Sequence, residues 1–231
     1  MTEPILVACS HGTAEESARA AIAALVDSVR SRLGVEVRQA FVDVQEPRIS
    51  AEVARIPAGP GISAVVVPVL LSVGYHVHVD IARAVAGRPD VLAAPPLGPD
   101  PRLLAILLER LEAAGAPLDA AVVLAAAGSS DERSRRDTDA MVAALAAVRS
   151  ASVTLGFAAG IHPTVAEAVA EARSAGAPSV AVASFLLAPG TFQSRLALAG
   201  ADVVTEALAP HPGLVAIVVD RYDSAADARR K

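Results

Sequence analysis

An internal duplication is the feature of this 231-residue sequence that most constrains its fold, because four segments recur at one displacement of 116 positions. The matching pairs are residues 5–13 with 121–129, residues 41–47 with 157–163, residues 65–74 with 181–190, and Pro96 with Pro212. A constant displacement without insertions indicates two copies of one folding unit. We therefore predict two tandem domains of similar fold, residues 1–116 and 117–231, joined near Gly115 and Pro117.

Each copy alternates apolar strands with helices. In the first copy the pattern predicts strands over residues 5–9, 35–42 and 65–71 and near Val91, and helices over residues 14–33, after Pro47 and over residues 101–114. A continuous β-branched run is typical of a strand that is buried on both faces of a parallel sheet. We therefore expect an α/β fold, in which each half is a Rossmann-like domain with a mostly parallel four-stranded sheet flanked by helices.

The composition excludes several classes of function. The formal net charge is −5 and only 3% of residues are aromatic, which argues against a broad nucleic-acid surface. Cys9 is the single cysteine, so disulfides within the chain and cysteine-rich metal sites are excluded. Lys231 is the only lysine, so an anion site must use arginine. The sequence has no signal-peptide pattern and no membrane-length apolar run, so we expect a cytoplasmic protein.

Imidazole and carboxylate side chains follow the predicted strands of the first copy. His11 follows the first strand, Glu46 the second, and His76 with His78 the third. Open parallel sheets bind ligands beyond the carboxyl ends of their strands, so we expect these residues to converge. Together they suit Fe²⁺, Co²⁺ or Ni²⁺ better than Ca²⁺ or Mg²⁺. Neutral imidazole also accepts protons near pH 7, so the sequence predicts one site that holds a metal and removes protons.

Several of these residues have simpler interpretations. Glu46 could merely place a negative charge at a helix N-terminus, and His78 could lie behind the metal ligands or on the surface. We expect Asp80 to cap a helix over residues 81–86, which leaves His76 and His78 on a loop. His211 is expected in a turn.

The second copy serves as an internal control for the candidate ligands. At the displacement of 116, it has Ala127 for His11, His162 for Glu46, Phe192 for His76 and Ser194 for His78. The second copy therefore retains the scaffold and loses most of the ligands. We predict one active site, in the first domain, with the second domain as the facing wall of the cleft and His162 as a further residue that could reach into it.

Three motifs resemble those of the CbiX/SirB family of sirohydrochlorin chelatases in its two-domain form. They are Ser10-His11-Gly12-Thr13, the Phe-Val-Asp-Val-Gln-Glu-Pro run over residues 41–47, and residues 71–80. The resemblance implies an ATP-independent class II chelatase that inserts Fe²⁺ or Co²⁺ into sirohydrochlorin for siroheme or cobalamin biosynthesis. It also implies that His11, Glu46 and His76 handle the metal and the pyrrole protons. The metal is then a substrate, with Ni²⁺ as a further candidate ion, and no tightly bound cofactor is expected.

A polycarboxylate macrocycle as substrate requires cationic or hydrogen-bonding contacts. We expect arginines near the motif loops to supply them, although each could equally be a solvated surface charge: Arg48, Arg83, Arg133 and Arg195. Backbone N–H groups at a predicted helix start could bind a carboxylate, with a simple tight turn as the alternative: Gly128, Ser129 and Ser130. The duplicated chain is expected to be a monomer with internal pseudo-two-fold symmetry.

Three other functions fit the sequence less well. A metal or tetrapyrrole carrier on the same scaffold would bind the ligands without catalysing insertion. A phosphohydrolase that uses His11 would need an arginine before it, where this chain has Ser10. A dinucleotide-binding protein would need a Gly-x-Gly-x-x-Gly turn after the first strand, which the sequence lacks.

Overall fold

The computed structural model describes residues 3–72, 74–129 and 131–228, without the side chains of residues 75–78. The first repeat contains β1 Ile5–Ser10, α1 Glu16–Leu33, β2 Val37–Phe41, α2 Ile49–Ala54, β3 Ala64–Pro68, α3 Tyr75–Val85, β4 Val91–Ala93 and α4 Pro101–Ala113. The second repeat contains β5 Ala121–Ala126, α5 Glu132–Ala146, β6 Val153–Phe157, α6 Val165–Ser174, β7 Val180–Phe185, α7 Thr191–Leu196, β8 Val203–Val204 and α8 Pro212–Asp227.

The strands form two four-stranded sheets in which every described pairing is parallel. Their orders are β2-β1-β3-β4 and β6-β5-β7-β8, which confirms the predicted α/β architecture. The central strands are the most apolar, and every residue of β3, β5 and β7 is buried. Strand order reverses between β1 and β3, so the carboxyl ends of these two strands mark the edge where such sheets bind ligands.

The first sheet is covered by helices on both faces. The crossover from β1 through α1 to β2 and the crossover from β2 through α2 to β3 run in opposite directions along the sheet. Because such crossovers are right-handed, α1 and α2 lie on opposite faces. Helices α2 and α3 cover one face, where Ile49, Val53 and Ile81 pack with Val7 and Val66. Helices α1 and α8 pack against each other, and α8 also packs on β3.

The compact units of the chain differ from its sequence repeats. Unit 1 comprises Met1–Gly98 and Pro212–Lys231, and unit 2 comprises Pro99–His211. Helix α4 of the first repeat therefore packs in unit 2, on β7, and α8 of the second repeat packs in unit 1. The units differ in these two helices from the predicted domains, residues 1–116 and 117–231, because an apolar helix stripe does not reveal which sheet it will cover.

The displacement between the repeats changes after β7. Pro101 begins α4 and Pro212 begins α8, so these two prolines, which are 111 positions apart, are equivalent. The pairing of Pro96 with Pro212 was therefore wrong. Helix α7 has 6 residues whereas α3 has 11, and this shortening accounts for the five-residue difference.

Helix α3 begins earlier than the sequence predicts. Its first residue is Tyr75, after an extended Gly74, so the backbone of His76 and His78 lies in a helix rather than on a loop. Asp80 lies within α3 and does not cap a helix that begins at residue 81, so that prediction was wrong. Among the described residues, none of the helices has the length and apolarity needed to cross a bilayer.

Candidate active site

The loops that follow β1 and β2 are tied together at the carboxyl edge of the first sheet. Two of the ties join backbone to backbone and the third joins backbone to side chain. They are Val42 N–H to Ser10 O at 2.9 Å, Asp43 N–H to His11 O at 2.8 Å and Thr13 N–H to Gln45 Oε1 at 2.9 Å. The two loops therefore form one unit of backbone, which brings the positions of His11 and Asp43 next to each other.

Gly12 lets the two loops approach each other. Its φ is +93°, a conformation that residues with a Cβ rarely adopt. A Cβ at this position would lie 1.9 Å from the carbonyl oxygen of Asp43, far inside contact distance. The glycine of the Ser-His-Gly turn is therefore a steric requirement of the loop pairing.

His11 is the first residue beyond the end of β1, and its side chain is exposed. Ser10 before it is buried, so the chain emerges from the core at this point. The ring nitrogen Nδ1 of His11 lies 3.3 Å from the carbonyl oxygen of Gly12. An exposed imidazole at this edge can bind a metal ion transiently or accept a proton.

Asp43 lies beside His11 and was missed by the sequence analysis. Its carboxylate accepts a hydrogen bond from the Arg48 guanidinium at 2.7 Å. That bond, a hydrogen bond from the Val44 backbone and the positive charge of Arg48 hold the pKa of Asp43 below its ordinary value. Asp43 is thus ionised near neutral pH. The sequence did contain a signal, since the second copy has Ala159 at this position, just as it has Ala127 in place of His11.

Glu46 is exposed, and its described contacts are all with Arg48. Its Oε2 accepts the backbone N–H of Arg48 at 2.8 Å, and its Oε1 lies 3.3 Å from the Arg48 guanidinium. Arg48 immediately precedes α2, so the Glu46 carboxylate lies at the N-terminal end of this helix. This geometry agrees with the simpler interpretation of Glu46, and its predicted role as a metal ligand stays a prediction.

Arg48 makes contacts with several groups of the loop that follows β2. Besides Asp43 and Glu46, its guanidinium donates to the carbonyl oxygen of Val42 at 2.9 Å. The Arg48 side chain therefore stabilises the loop. A substrate carboxylate would have to compete with these contacts for the guanidinium.

The remaining predicted ligands, His76 and His78, lie outside the described side chains. Their backbone lies in the first turn of α3, after β3, at the same edge as His11. Among the residues that the structure describes, no group of three or more His, Cys, Asp or Glu side chains is placed to hold a metal ion. The described side chains of the candidate site are therefore those of His11, Asp43 and Glu46, and Arg48 pairs with both carboxylates.

The two repeats both match one family model, that of CbiX, over residues 5–114 and again over residues 121–225. The chain belongs to the CbiX family. No curated protein sequence gives a significant match to it.

Solved structures share the fold of this CbiX-family chain at low sequence identity. SirB from Bacillus subtilis with Fe³⁺ has a TM-score of 0.82 and 20% identity, over 100% of this chain and 98% of SirB. The sirohydrochlorin chelatase SirB from Bacillus subtilis subspecies spizizenii in complex with cobalt has a TM-score of 0.80 and 18% identity, over 99% of this chain and 97% of that protein. CbiX, the terminal enzyme for siroheme biosynthesis in denitrifying bacteria, has a TM-score of 0.68 and 20% identity, over 96% of this chain and 99% of that protein.

The second CbiX repeat retains the loop backbone without the ionic side chains. Gly128 has φ +99° and approaches the carbonyl oxygen of Ala159, as Gly12 approaches Asp43. His162, at the Glu46 position, lies with Nδ1 2.8 Å from Glu167 Oε2. Glu167 also completes a capping box with Thr164 at the start of α6. This loop is thus stabilised by a helix cap, and His162 is held by that cap.

The predicted anion site at the start of α5 already contains a carboxylate. Asp131 accepts the backbone N–H of Arg133 at 2.9 Å, and the Arg133 guanidinium pairs with the same carboxylate at 2.9 Å. Ser129 accepts the N–H of Asp131 at 3.1 Å. Substrate binding by Gly128 and Ser129 stays a prediction that must compete with this cap. Ser130 lies outside the described residues.

The other two predicted substrate contacts are exposed at the ends of short helices. Arg83 lies in the last turn of α3 and Arg195 in the last turn of α7. The Arg195 guanidinium carbon lies 6.0 Å from the centre of the Phe192 ring. Neither arginine has an ion-pair partner among the described residues, so both remain available to a ligand.

Proposed function

We propose that this CbiX-family protein is a sirohydrochlorin chelatase that inserts Fe²⁺ or Co²⁺ into the macrocycle without ATP, as the final step towards siroheme or within cobalamin synthesis. The observation that carries the proposal is the exposed His11 imidazole beside ionised Asp43, at the switch point of a CbiX-family sheet. The metals named with the SirB structures, Fe³⁺ and cobalt, belong to the class of ions that such ligands accept.

Metal insertion requires that two pyrrole N–H protons leave the macrocycle as one divalent cation enters it. A neutral imidazole at His11 can hold the ion or take up one of the two protons, because one of its ring nitrogens carries a free electron pair. Asp43 is an anionic second ligand. We propose that His76 and Glu46, with His78 as a further ligand, complete the set.

The positive charge of Arg48 beside Asp43 serves the transfer step in this proposal. A carboxylate that is paired with a guanidinium attracts a cation less strongly than a free one, because the two charges largely offset each other. The metal is thus held weakly enough to pass to the ring nitrogens. A site with stronger ligands would retain its metal.

The test is anaerobic incubation of the purified chain with sirohydrochlorin and Fe²⁺, Co²⁺ or Ni²⁺ in turn, followed by absorption spectroscopy. We expect insertion with at least one ion, and His11→Ala to slow it by about 100-fold or more, as loss of a proton-transfer group does. His162→Ala is the comparison variant: His162 was expected from the sequence as a residue that could reach the site, but its imidazole pairs with Glu167 at the cap of α6. It should retain the wild-type rate.

Each outcome has a defined meaning for the proposal. Wild-type chain that accelerates insertion of none of the three ions would refute the chelatase proposal, and stoichiometric binding without turnover would indicate a carrier. Insertion by His11→Ala at the wild-type rate would remove His11 from the mechanism. We further propose that the protein acts in the cytoplasm as a monomer without nucleic-acid partners, and light scattering checks the oligomeric state.

A further inference from the structure

Helix α7 occupies in unit 2 the position that α3 occupies in unit 1. Gly190 precedes α7 and follows β7, as Gly74 precedes α3 after β3. The first turn of α7 therefore lies at the carboxyl edge of a central parallel strand. Phe192 is the counterpart of His76 by the displacement of 116, so an aromatic ring replaces a predicted metal ligand.

The inward face of α7 is fixed by apolar and polar contacts. Leu196 is fully buried. Gln193 accepts a hydrogen bond from the buried Ser184 hydroxyl and donates to the carbonyl oxygen of Thr205 at 2.7 Å. These side chains hold the short helix against β7 and β8, so its outer face has a defined orientation within unit 2.

The outer face of α7 presents a ring and a cation together. Phe192 is 39% exposed in a chain that has only four phenylalanines and no tryptophan. Arg195 is one turn further along, which places it on the same side of the helix. Its guanidinium lies over the Phe192 ring. Among the described residues no carboxylate neutralises it, whereas the guanidinium of Arg133 is paired.

We infer that Phe192 and Arg195 form a substrate-contact patch, in which the ring packs against the flat macrocycle and the guanidinium binds one of its peripheral carboxylates. The inference rests on the proposed function, because the ligand is sirohydrochlorin. Flat conjugated rings stack on exposed aromatic side chains, and guanidinium binds carboxylate with two parallel hydrogen bonds. The patch contributes to binding and takes no part in proton or metal transfer.

The test is a titration of the full-length chain with metal-free sirohydrochlorin, followed by absorption, for wild type, Phe192→Ala and Arg195→Ala. We expect each variant to bind about ten-fold more weakly, equivalent to about 1.4 kcal/mol. Steady-state assays should show KM for sirohydrochlorin raised by a similar factor, with kcat within about two-fold of wild type.

Two matched controls test whether the effect is local. Arg136→Ala removes an exposed arginine from α5, and Leu198→Ala removes a side chain that is 84% exposed just beyond α7. Both should bind as wild type does. Phe192→Leu and Arg195→Gln keep most of the side-chain volume, so they repeat the measurement with a smaller risk to folding, which circular dichroism checks.

The patch and the chelatase proposal can fail separately. Wild-type affinity and KM in the Phe192 and Arg195 variants would overturn the patch. Wild-type chain that binds the macrocycle but inserts no metal would overturn the chelatase proposal, while the titration would still decide whether the patch binds the ring. Absence of any binding by wild type would overturn both.

Discussion

Replacement of Gly12 by alanine tests the pairing of the two loops that carry His11 and Asp43. The backbone has φ +93°, and the new Cβ would lie 1.9 Å from the carbonyl oxygen of Asp43. No side-chain rotation can relieve this overlap, because the backbone fixes the position of a Cβ and the carbonyl oxygen belongs to the backbone itself. The loop after β2 must therefore move away, and it carries Asp43 with it.

The expected loss of stability has two parts. A Cβ at positive φ costs about 1–2 kcal/mol. Separation of the loops breaks the hydrogen bonds from Asp43 N–H to His11 O and from Thr13 N–H to Gln45 Oε1, each of which contributes about 1 kcal/mol. We therefore expect Gly12→Ala to lower the free energy of unfolding by about 3–4 kcal/mol.

Two other glycines provide a graded comparison. Gly34 has φ +64°, and a Cβ added there would meet no atom within 4 Å, so Gly34→Ala should cost only the conformational part, about 1–2 kcal/mol. Gly128 has φ +99° and a nearest atom at 3.2 Å, so its variant should fall between them. Urea denaturation measures all three, and the metal-insertion rate should fall sharply for Gly12→Ala alone. A Gly12→Ala loss equal to that of Gly34→Ala would refute the close approach.

Two further predictions follow from shifted pKa values. Burial raises the pKa of the Cys9 thiol to about 12, so the native chain should resist iodoacetamide at pH 8 and react once denatured, as mass spectrometry will show; rapid native labelling would contradict this. Desolvation raises the pKa of Asp223, and neighbouring carboxylates add to the effect. A raised folded pKa means that its stabilising contribution is complete below its unfolded pKa, about 3.9, and is lost as pH rises through the folded value. Asp223→Asn should therefore raise Tm at pH 7 but not near pH 3, and an equal Tm at pH 7 would argue against the shift.

The architecture was predictable because the sequence repeats its own pattern. Residues 65–71 are apolar throughout, and the structure has a fully buried strand, β3, over Ala64–Pro68. The first helix was predicted to end at residue 33, and α1 ends at Leu33, followed by Gly34 at positive φ. The exchange of α4 and α8 was not predictable, since both helices have an apolar stripe that either sheet could bury.

The site was only partly predictable, for two separate reasons. His11 stands directly after a strand, where sequence position alone fixes its place at the sheet edge. Asp43 and Glu46 lie three residues apart in an irregular loop, and their positions depend on how Arg48 folds back over them. The alternating His-Val pattern at the start of α3 concealed the helix, which packs on the core through the buried Ile81.

The two copies of the loop separate scaffold from chemistry. Gly12 and its counterpart Gly128 both have a positive φ. Val44 and its counterpart Gly160, each three residues before the loop proline, also both have a positive φ. The backbone therefore persists in the second repeat, where Ala127 and Ala159 leave no imidazole or carboxylate at these two positions. Because turns with positive φ at the same positions occur with and without the ionic side chains, these backbone conformations need no catalytic explanation. Val44 is the exception, since a β-branched residue at φ 62° costs more than the glycine at its counterpart. The copy that carries His11 and Asp43 thus tolerates the less stable loop.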